Sequence, residues 1–329
     1  MTPTLTLAVG DYDRVRPLLA GRVSVAGARL APLILPSEQS FPRAVTRAEF
    51  DVTELSLSSH ILQVARGEAA YAAIPVFIAR AFRHGCLYLR EGAGIATPAD
   101  LVGRRVGIPE YQMTLGLWLR GILADQHGVD VNRILWRTAG TNAPGRRERL
   151  PLDLPPEMDV APLAEGDTLN AALLAGRIDA MLSPTPPAAF AAGDPAVTRL
   201  FPDPRAAGLA FHRATGFFPI MHVMGVRRDL LARHPGIGRA LLEAFTAAKH
   251  LAIAELEQNL ARSSPATMLP FAAEEWADTK ALLGPDPYPY GIAANRAELE
   301  ALCRWSQAQH LARRPVALAE LFDPETLDS

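Results

Sequence analysis

The residues best suited to chemistry in this sequence include two arginines and a histidine that follow an apolar segment. Arg80, Arg83 and His84 stand at positions i, i+3 and i+4, so a helix here would place all three side chains on one face. Two guanidiniums beside an imidazole would form an anion site. A basic helix face exposed to solvent is the alternative, and the spacing leaves both interpretations open.

His222 is a second candidate because it lies in a predicted strand over residues 219–226. Counting with a period of two puts its side chain on the same side as Ile220 and Met224. A polar ring on an apolar face is either a core histidine with satisfied hydrogen bonds or a proton donor that faces a cleft. The pattern does not decide between the two.

Polar turns after the other predicted strands supply further candidates, since ligands of open α/β sheets bind outside the carboxyl ends of strands. Glu110 either positions a substrate hydroxyl or caps the helix that follows it. The remaining candidates in these turns are Tyr12, Arg14, Ser56, Ser58, Tyr111, Gln112 and Thr114.

Several common catalytic signatures are absent from the sequence. It contains no G-x-x-x-x-G-K-[ST], G-x-G-x-x-G, G-x-S-x-G or H-E-x-x-H motif, which argues against nucleotide-binding, serine-hydrolase and zinc-protease classes. The eight histidines never fall four residues apart, and the two cysteines provide no four-thiolate site. We therefore predict no cofactor and no metal.

The composition indicates a globular protein with a small-molecule partner. Of 329 residues, 49% are hydrophobic and 21% are charged, and the net charge is −2, which argues against a strongly basic nucleic-acid binder. No apolar run approaches the roughly 18 residues of a membrane helix. The amino-terminal segment is typical of a strand and not of a signal peptide, so we expect a cytoplasmic protein that engages neither membrane nor nucleic acid.

The chemistry-bearing turns are positioned by alternating strand and helix patterns, which predict an α/β architecture with a largely parallel sheet. Prolines interrupt this alternation in two places. We therefore predict two lobes with a ligand cleft between them. The first combines residues 1–95 with 215–329, including the C-terminal helices, and the second spans residues 96–214. Assembly into a homo-oligomer is left open.

Longer strings around these turns resemble the 4,5-dihydroxyphthalate decarboxylase family, whose fold is similar to that of type II periplasmic solute-binding proteins. The matching segments run nearly from end to end: residues 10–14, 50–58, 73–77, 106–114, 215–222 and 288–292. One departure is Thr185, where the resemblance leads us to expect an arginine.

The resemblance implies non-oxidative decarboxylation of a dihydroxylated phthalate to protocatechuate and CO2. An ortho-dicarboxylate needs cations, which Arg14, Arg80 and Arg83 would supply. A general acid must protonate the ring carbon, and His222 and His84 are the candidates. Glu110 or Tyr111 would hold the hydroxyls. The alternative function is a solute-binding protein of an ABC-type transporter for a small organic anion, which would share the fold and the anion site.

Overall fold

The computed structural model describes residues 2–329, and its strands form two separate sheets. The strands, in chain order, are β1 (Thr4–Val9), β2 (Arg29–Ile34), β3 (Val52–Ser56), β4 (Tyr71–Arg80), β5 (Leu87–Arg90), β6 (Arg105–Ile108), β7 (Leu135–Thr138), β8 (Val160–Pro162), β9 (Ala180–Leu182), β10 (Val197–Arg199) and β11 (Ile220–Arg227). The α-helices are α1 (Arg16–Leu19), α2 (Ser37–Arg47), α3 (Leu57–Arg66), α4 (Thr114–His127), α5 (Leu169–Leu174), α6 (Ala188–Ala191), α7 (Pro204–Thr215), α8 (Arg228–Arg233), α9 (Ile237–Leu260), α10 (Ala272–Leu283), α11 (Arg296–Ala308) and α12 (Leu318–Leu321).

The first sheet has the strand order β2-β1-β3-β11-β4. β1 runs parallel to β2 and β3, whereas β11 lies between β3 and β4 and runs antiparallel to both. All of β3 is buried, and so is all of β4 except Ala79. The largely apolar sequence of β4 is typical of a strand that is covered on both faces. Because β11 is reversed, its first residues lie at the edge where β1 and β3 end.

The second sheet has the order β10-β5-β9-β6-β7-β8. Strands β9, β6, β7 and β8 are parallel neighbours, whereas β5 pairs antiparallel with β9 and β10. The bounds of β6 are those predicted from the sequence. Helix α4 begins after it and ends at Gly128, whose φ of +64° is typical of a glycine that terminates a helix.

The chain changes sheets twice, which gives the two-lobed α/β fold that the sequence predicts. It leaves the first sheet between Arg80 and Leu87 and returns between Arg199 and Ile220. The predicted change after residue 214 lies inside the second interval. The predicted change after residue 95 comes later than the first interval, because β5 (Leu87–Arg90) already pairs with β9.

The C-terminal helices pack mainly on the first lobe, but one of them also reaches the second. α9 packs on α1 and β4, and α12 packs on α3. α11 contacts α3 and also α4, so it joins the two lobes. Within residues 2–329, no helix combines the length and the apolar character needed to span a bilayer.

The segment around Arg80 is not the helix that a common face of Arg80, Arg83 and His84 would require. Arg80 is the last residue of β4, and His84 begins a short 3-10 turn (His84–Cys86). The β-branched and aromatic residues of this segment favour a strand, and β11 provides its antiparallel partner. The common helical face of Arg80, Arg83 and His84 therefore does not exist.

Candidate active site

A cavity of about 190 Å³ lies between the two lobes, at the edge where the carboxyl ends of several strands meet. Ser56, Phe41 and His222 line it from the first lobe, while Thr114 and Thr185 line it from the second. This is the position in which open α/β sheets bind ligands. Both lobes therefore contribute polar side chains to one enclosed space.

His222 is held in this wall by a buried carboxylate. The Nδ1 of its ring donates a hydrogen bond to Glu54 Oε1 at 2.5 Å. The Glu54 side chain is 0% exposed, whereas that of His222 is 20% exposed. Since Nδ1 is engaged with Glu54, Nε2 is the ring nitrogen left for a ligand in the cavity.

Glu54 accepts two further hydrogen bonds, from the Tyr12 hydroxyl at 2.7 Å and from the Gly10 backbone N–H at 3.1 Å. Burial acts to raise the pKa of Glu54, but the hydrogen bond and charge of His222, with the donors Tyr12 and Gly10, outweigh it and hold that pKa below its ordinary value. Burial and the Glu54 charge raise the pKa of Tyr12, so its hydroxyl remains a donor. This cluster keeps a negative charge behind the imidazole.

The local shape of β11 orients the His222 ring. Its register against β4 shifts on both sides of His222, which marks an irregularity of the kind that redirects side chains next to active sites. The edge of the ring packs on Phe41, with 4.9 Å between centroids. His222 is therefore neither a sealed core histidine nor a freely rotating surface residue.

Three arginines make the cavity cationic. Arg83 lines it with its Nε 3.2 Å from the Met221 sulfur. Arg146 and Arg149 line it from the segment that follows β7. Both are fixed by Glu110, whose Oε1 accepts from Arg146 Nε at 2.9 Å and from Arg149 Nη2 at 2.7 Å.

Glu110 fits neither role that the sequence suggested for it. It is buried beneath the two arginines, and its Oε2 also accepts from the Arg149 backbone N–H at 3.2 Å and from Gln112 Nε2 at 2.9 Å. It does not line the cavity, and α4 begins without a side-chain cap. Glu110 instead holds the cations that face the ligand space.

Hydroxyl groups join the two lobes at the cavity floor. Ser56 Oγ lies 2.9 Å from Thr114 Oγ1, which also accepts from the Ser58 backbone N–H at 3.1 Å. Ser56 and Thr114 line the cavity, whereas Gln112 lies behind it and accepts from Ser59 Oγ at 2.5 Å. The predicted residues of this turn thus divide into a lining pair and a supporting layer.

Two predicted cations lie outside the cavity. Arg80 is buried and donates to Glu298 at 3.3 Å and to the Phe218 carbonyl at 2.7 Å. Arg14 donates from Nε to the Ile78 carbonyl at 2.7 Å, and its guanidinium stacks between the Tyr12 and Tyr288 rings. These contacts engage both side chains within the first lobe, so they do not support a role in ligand binding.

Two further predicted residues are packed into the protein interior. His84 is buried against Phe201 and Phe211, and burial lowers its pKa to about 4. Tyr111 is buried under Arg120, and its hydroxyl donates to the Gln309 carbonyl at 3.3 Å. Neither lines the cavity, which leaves His222 as the histidine with access to a ligand there.

Comparison with known proteins identifies the family. The chain is 38% identical over 325 residues to the 4,5-dihydroxyphthalate decarboxylase of Comamonas testosteroni, which covers 99% of this chain and 98% of that protein. The chain belongs to the 4,5-dihydroxyphthalate decarboxylase family. A protein of the same name from Pseudomonas putida is 39% identical over 213 residues, or 65% of this chain and 83% of its own length. No family model matches the chain.

Solved structures relate the fold of this decarboxylase-family chain to that of solute-binding proteins. The periplasmic aliphatic sulphonate binding protein of Escherichia coli superposes with a TM-score of 0.57 at 15% identity, covering 100% of both chains. The ligand-binding component of an ABC-type import system from Staphylococcus aureus gives a TM-score of 0.52 at 11% identity, covering 99% of this chain and 98% of that one. At such identities the likeness shows the two-lobed fold alone.

The acidic, histidine and cysteine side chains of this family member do not form a cluster suited to a metal ion in the part of the chain that the structure describes. Residues 2–329 contain no group of three or more His, Cys, Asp or Glu side chains arranged to hold a metal ion. At the cavity, Glu54 is already saturated by three donors and Glu110 by two arginines. That the reaction needs no metal or cofactor stays a prediction.

Sequence reasoning missed Glu54, Arg146 and Arg149. Glu54 belongs to a polar segment that we singled out, and a carboxylate inside an apolar strand is an available signal because buried charges are rare without a partner. Arg146 and Arg149 lie within residues 139–167, where several Pro and Gly residues predict a long loop. No periodic pattern there indicates where the side chains point.

Proposed function

We propose that this chain is a carboxy-lyase that decarboxylates 4,5-dihydroxyphthalate to protocatechuate and CO2. Membership of the family supports this assignment. The observation that supports it is the His222–Glu54 pair, an imidazole backed by a carboxylate in the wall of a cavity lined by three arginines. An acid and an excess of cations are the two requirements of the reaction.

The chemistry follows from the substrate's own electronics. A hydroxyl para to the leaving carboxylate donates electron density to the ring carbon that carries this carboxylate. That carbon takes a proton, which forms the new C–H bond. The bond to the carboxylate then breaks, its electron pair returns to the ring, and CO2 leaves. One proton is consumed and one CO2 is released, so no electron-accepting cofactor is required by the balance.

His222 is the proposed donor of this proton, through Nε2. Glu54 accepts from Nδ1 and holds a negative charge beside the ring, because its donors keep its pKa low although it is buried. Tyr12 keeps the carboxylate from turning away. A positioned general acid typically contributes about 10²- to 10⁴-fold to the rate. The partial exposure of His222 lets it recover a proton from solvent after each turnover.

The cations of the cavity match a substrate with two carboxylates. Arg83, Arg146 and Arg149 present planar guanidinium groups, which pair with carboxylates through two parallel hydrogen bonds. Glu110 neutralises one of these charges, and the carboxylate of Glu38 also lines the cavity. The three guanidiniums still outnumber these two carboxylates, which supports binding of an anion in a space partly removed from water.

A solute-binding protein for a small organic anion is the rival function, and the fold supports it equally. Binding alone would need the arginines but not a histidine backed by a buried carboxylate. The two functions therefore separate experimentally. Purified protein should release CO2 from 4,5-dihydroxyphthalate and form protocatechuate, seen as a changed ultraviolet spectrum. Tight binding without any CO2 would favour the transport function.

We propose the cytoplasm as the location of this activity. The first apolar segment, Thr4–Val9, is an interior strand of the first sheet, as the strand order β2-β1-β3 indicates, which supports its interpretation as a structural element. Cell fractionation followed by an assay for CO2 release tests this location. Size-exclusion chromatography with light scattering tests whether the chain assembles into a homo-oligomer.

A further inference from the structure

We infer that Arg146 and Arg149, held by Glu110, bind the carboxylate that stays on the ring, while Arg83 faces the carboxylate that leaves. This assignment rests on the proposed function and deepens it, because it gives each end of the substrate its own cationic partner. It makes Glu110 a positioning residue that acts through two arginines.

The first support is the geometry around Glu110. One buried carboxylate accepts from Arg146 Nε at 2.9 Å, from Arg149 Nη2 at 2.7 Å and from the Arg149 backbone N–H at 3.2 Å. The Arg149 side chain is only 9% exposed. Each guanidinium has five N–H donors, so donors remain for a ligand after Glu110 is satisfied. Fixing these side chains beforehand lowers the entropy cost of binding.

The second support is the charge of the three-residue group. Two guanidiniums and one carboxylate leave a net charge of one positive unit, which suits a single substrate carboxylate. Arg83 supplies the separate cation for the second carboxylate, and no acidic side chain is paired with it among the described residues.

The third support is the placement of these cations relative to the proton donor. Arg83 contacts Met221, the neighbour of His222 in β11. Arg149 lies over the Phe41 ring at 5.3 Å, and the edge of the His222 ring packs on the same Phe41 at 4.9 Å. Arg149 and His222 therefore share Phe41 as a neighbour, whereas Arg83 contacts β11 itself at the residue before His222. The acid must reach the carbon that loses CO2, so we assign Arg83, the cation that contacts β11, to the leaving carboxylate.

Binding of two unreactive ligands tests the assignment by calorimetry. Phthalate carries both carboxylates but lacks the para hydroxyl, and protocatechuate carries only the carboxylate that stays. Arg149→Lys keeps the charge but loses the planar donor pair, so it should weaken both ligands by at least about tenfold. Arg83→Lys should weaken phthalate by a similar factor and leave protocatechuate within about twofold.

Arg147→Lys is the matched control, because Arg147 is an exposed neighbour that does not line the cavity. It should leave both affinities unchanged. The assignment is overturned if Arg149→Lys binds protocatechuate as well as the original protein does. It is equally overturned if Arg83→Lys loses protocatechuate and phthalate to the same extent.

The positioning role of Glu110 has its own readout. Glu110→Gln should raise KM by about tenfold or more with a smaller change in kcat, whereas His222→Gln should do the reverse. An equal loss of kcat in both variants would contradict the role. If Glu110→Gln does not fold, the Arg149→Lys titrations still decide the assignment. These titrations need no turnover, so the expected binding pattern without CO2 release would refute the proposed function and leave only the two separate carboxylate sites standing.

Discussion

Glu54 and Glu298 are both buried glutamates of the first lobe, and both are tied to the first residues of β11. Glu54 accepts from His222 and from the Gly10 backbone N–H, while Glu298 accepts from Arg80 and from the Ile220 backbone N–H. The first cluster opens through His222 onto the cavity. The second is sealed, since the Arg80 side chain is 1% exposed.

Burial acts to raise the pKa of both glutamates, but the net displacement of the two pKa values is opposite. The pKa of Glu54 lies below its ordinary value because its donors outweigh burial. Burial raises the pKa of Glu298 to about 7, and Arg80 offsets this only in part. Burial and an ionic partner are thus common to a structural and a catalytic cluster. The clusters differ in whether the partner of the glutamate can reach a ligand: His222 lines the cavity, whereas Arg80 is sealed from it.

The largest expected effect is on catalysis by the open cluster. His222→Gln should lower kcat by about 10²- to 10⁴-fold, because the general acid is lost. Its melting temperature and its affinity for phthalate should stay close to those of the original protein. A collapsed melting transition would instead identify His222 as a core residue and erase the distinction between the clusters.

The sealed cluster should affect stability and spare catalysis. Arg80→Met leaves the Glu298 carboxylate buried without its cation, which typically costs about 3–5 kcal/mol of unfolding free energy. Urea denaturation measures this loss, and kcat of the folded fraction should stay within about twofold. Arg205→Met is the control, since its pair with Glu275 is exposed and worth about 1 kcal/mol or less. Loss of phthalate binding in Arg80→Met would restore Arg80 as a ligand residue.

The two glutamates should differ again when each is made neutral. Glu54→Gln removes the negative charge that accepts the Nδ1 hydrogen bond of His222, so kcat should fall by about 10- to 150-fold, the worth of one charge-assisted hydrogen bond. Glu298→Gln should change kcat little. Similar kcat values in both variants would mean that the charge behind His222 is not used.

The pH dependence of stability should carry opposite signs for the two clusters. Glu298 has a raised pKa, so the stability associated with its protonated form is lost as pH rises from about 4.5 to about 7. Glu54 has a lowered pKa, so its contribution is present above about 4.5 and is lost as pH falls through the lowered value. Urea denaturation of Glu298→Gln and Glu54→Gln across pH 3 to 8 should flatten each slope separately, by about 3 kcal/mol for Glu298.

The smallest expected effect is that of metal removal. If the open cluster works by proton transfer alone, dialysis against a chelator should leave kcat unchanged within error. Activity that disappears and returns only with a divalent ion would mean that Glu54 or Glu110 serves as a ligand. The open cluster would then differ from the sealed one because it can bind a metal ion, and not because it can transfer a proton.

Local patterns predicted much of the fold. β6, α4 and the strand that carries His222 follow from period-two and helical patterns together with Gly128 and Pro219 as boundaries. Ser56 and Thr114, two of the candidates named from the sequence, line the cavity because Ser56 ends β3 and Thr114 begins α4. The helical face considered for Arg80, Arg83 and His84 does not form, because Arg80 ends β4, which pairs with β11.

What the sequence by itself determined is the α/β alternation, the family resemblance and the set of residue types from which a site could be built. Only the tertiary structure decided which of them meet. Glu54 and His222 are 168 residues apart and come together because β11 inserts between β3 and β4. Arg146 and Arg149 reach the cavity because Glu110, more than thirty residues earlier, holds them there. Periodicity reports the environment of one segment, whereas ion pairs and cavities depend on contacts between segments that no local pattern encodes.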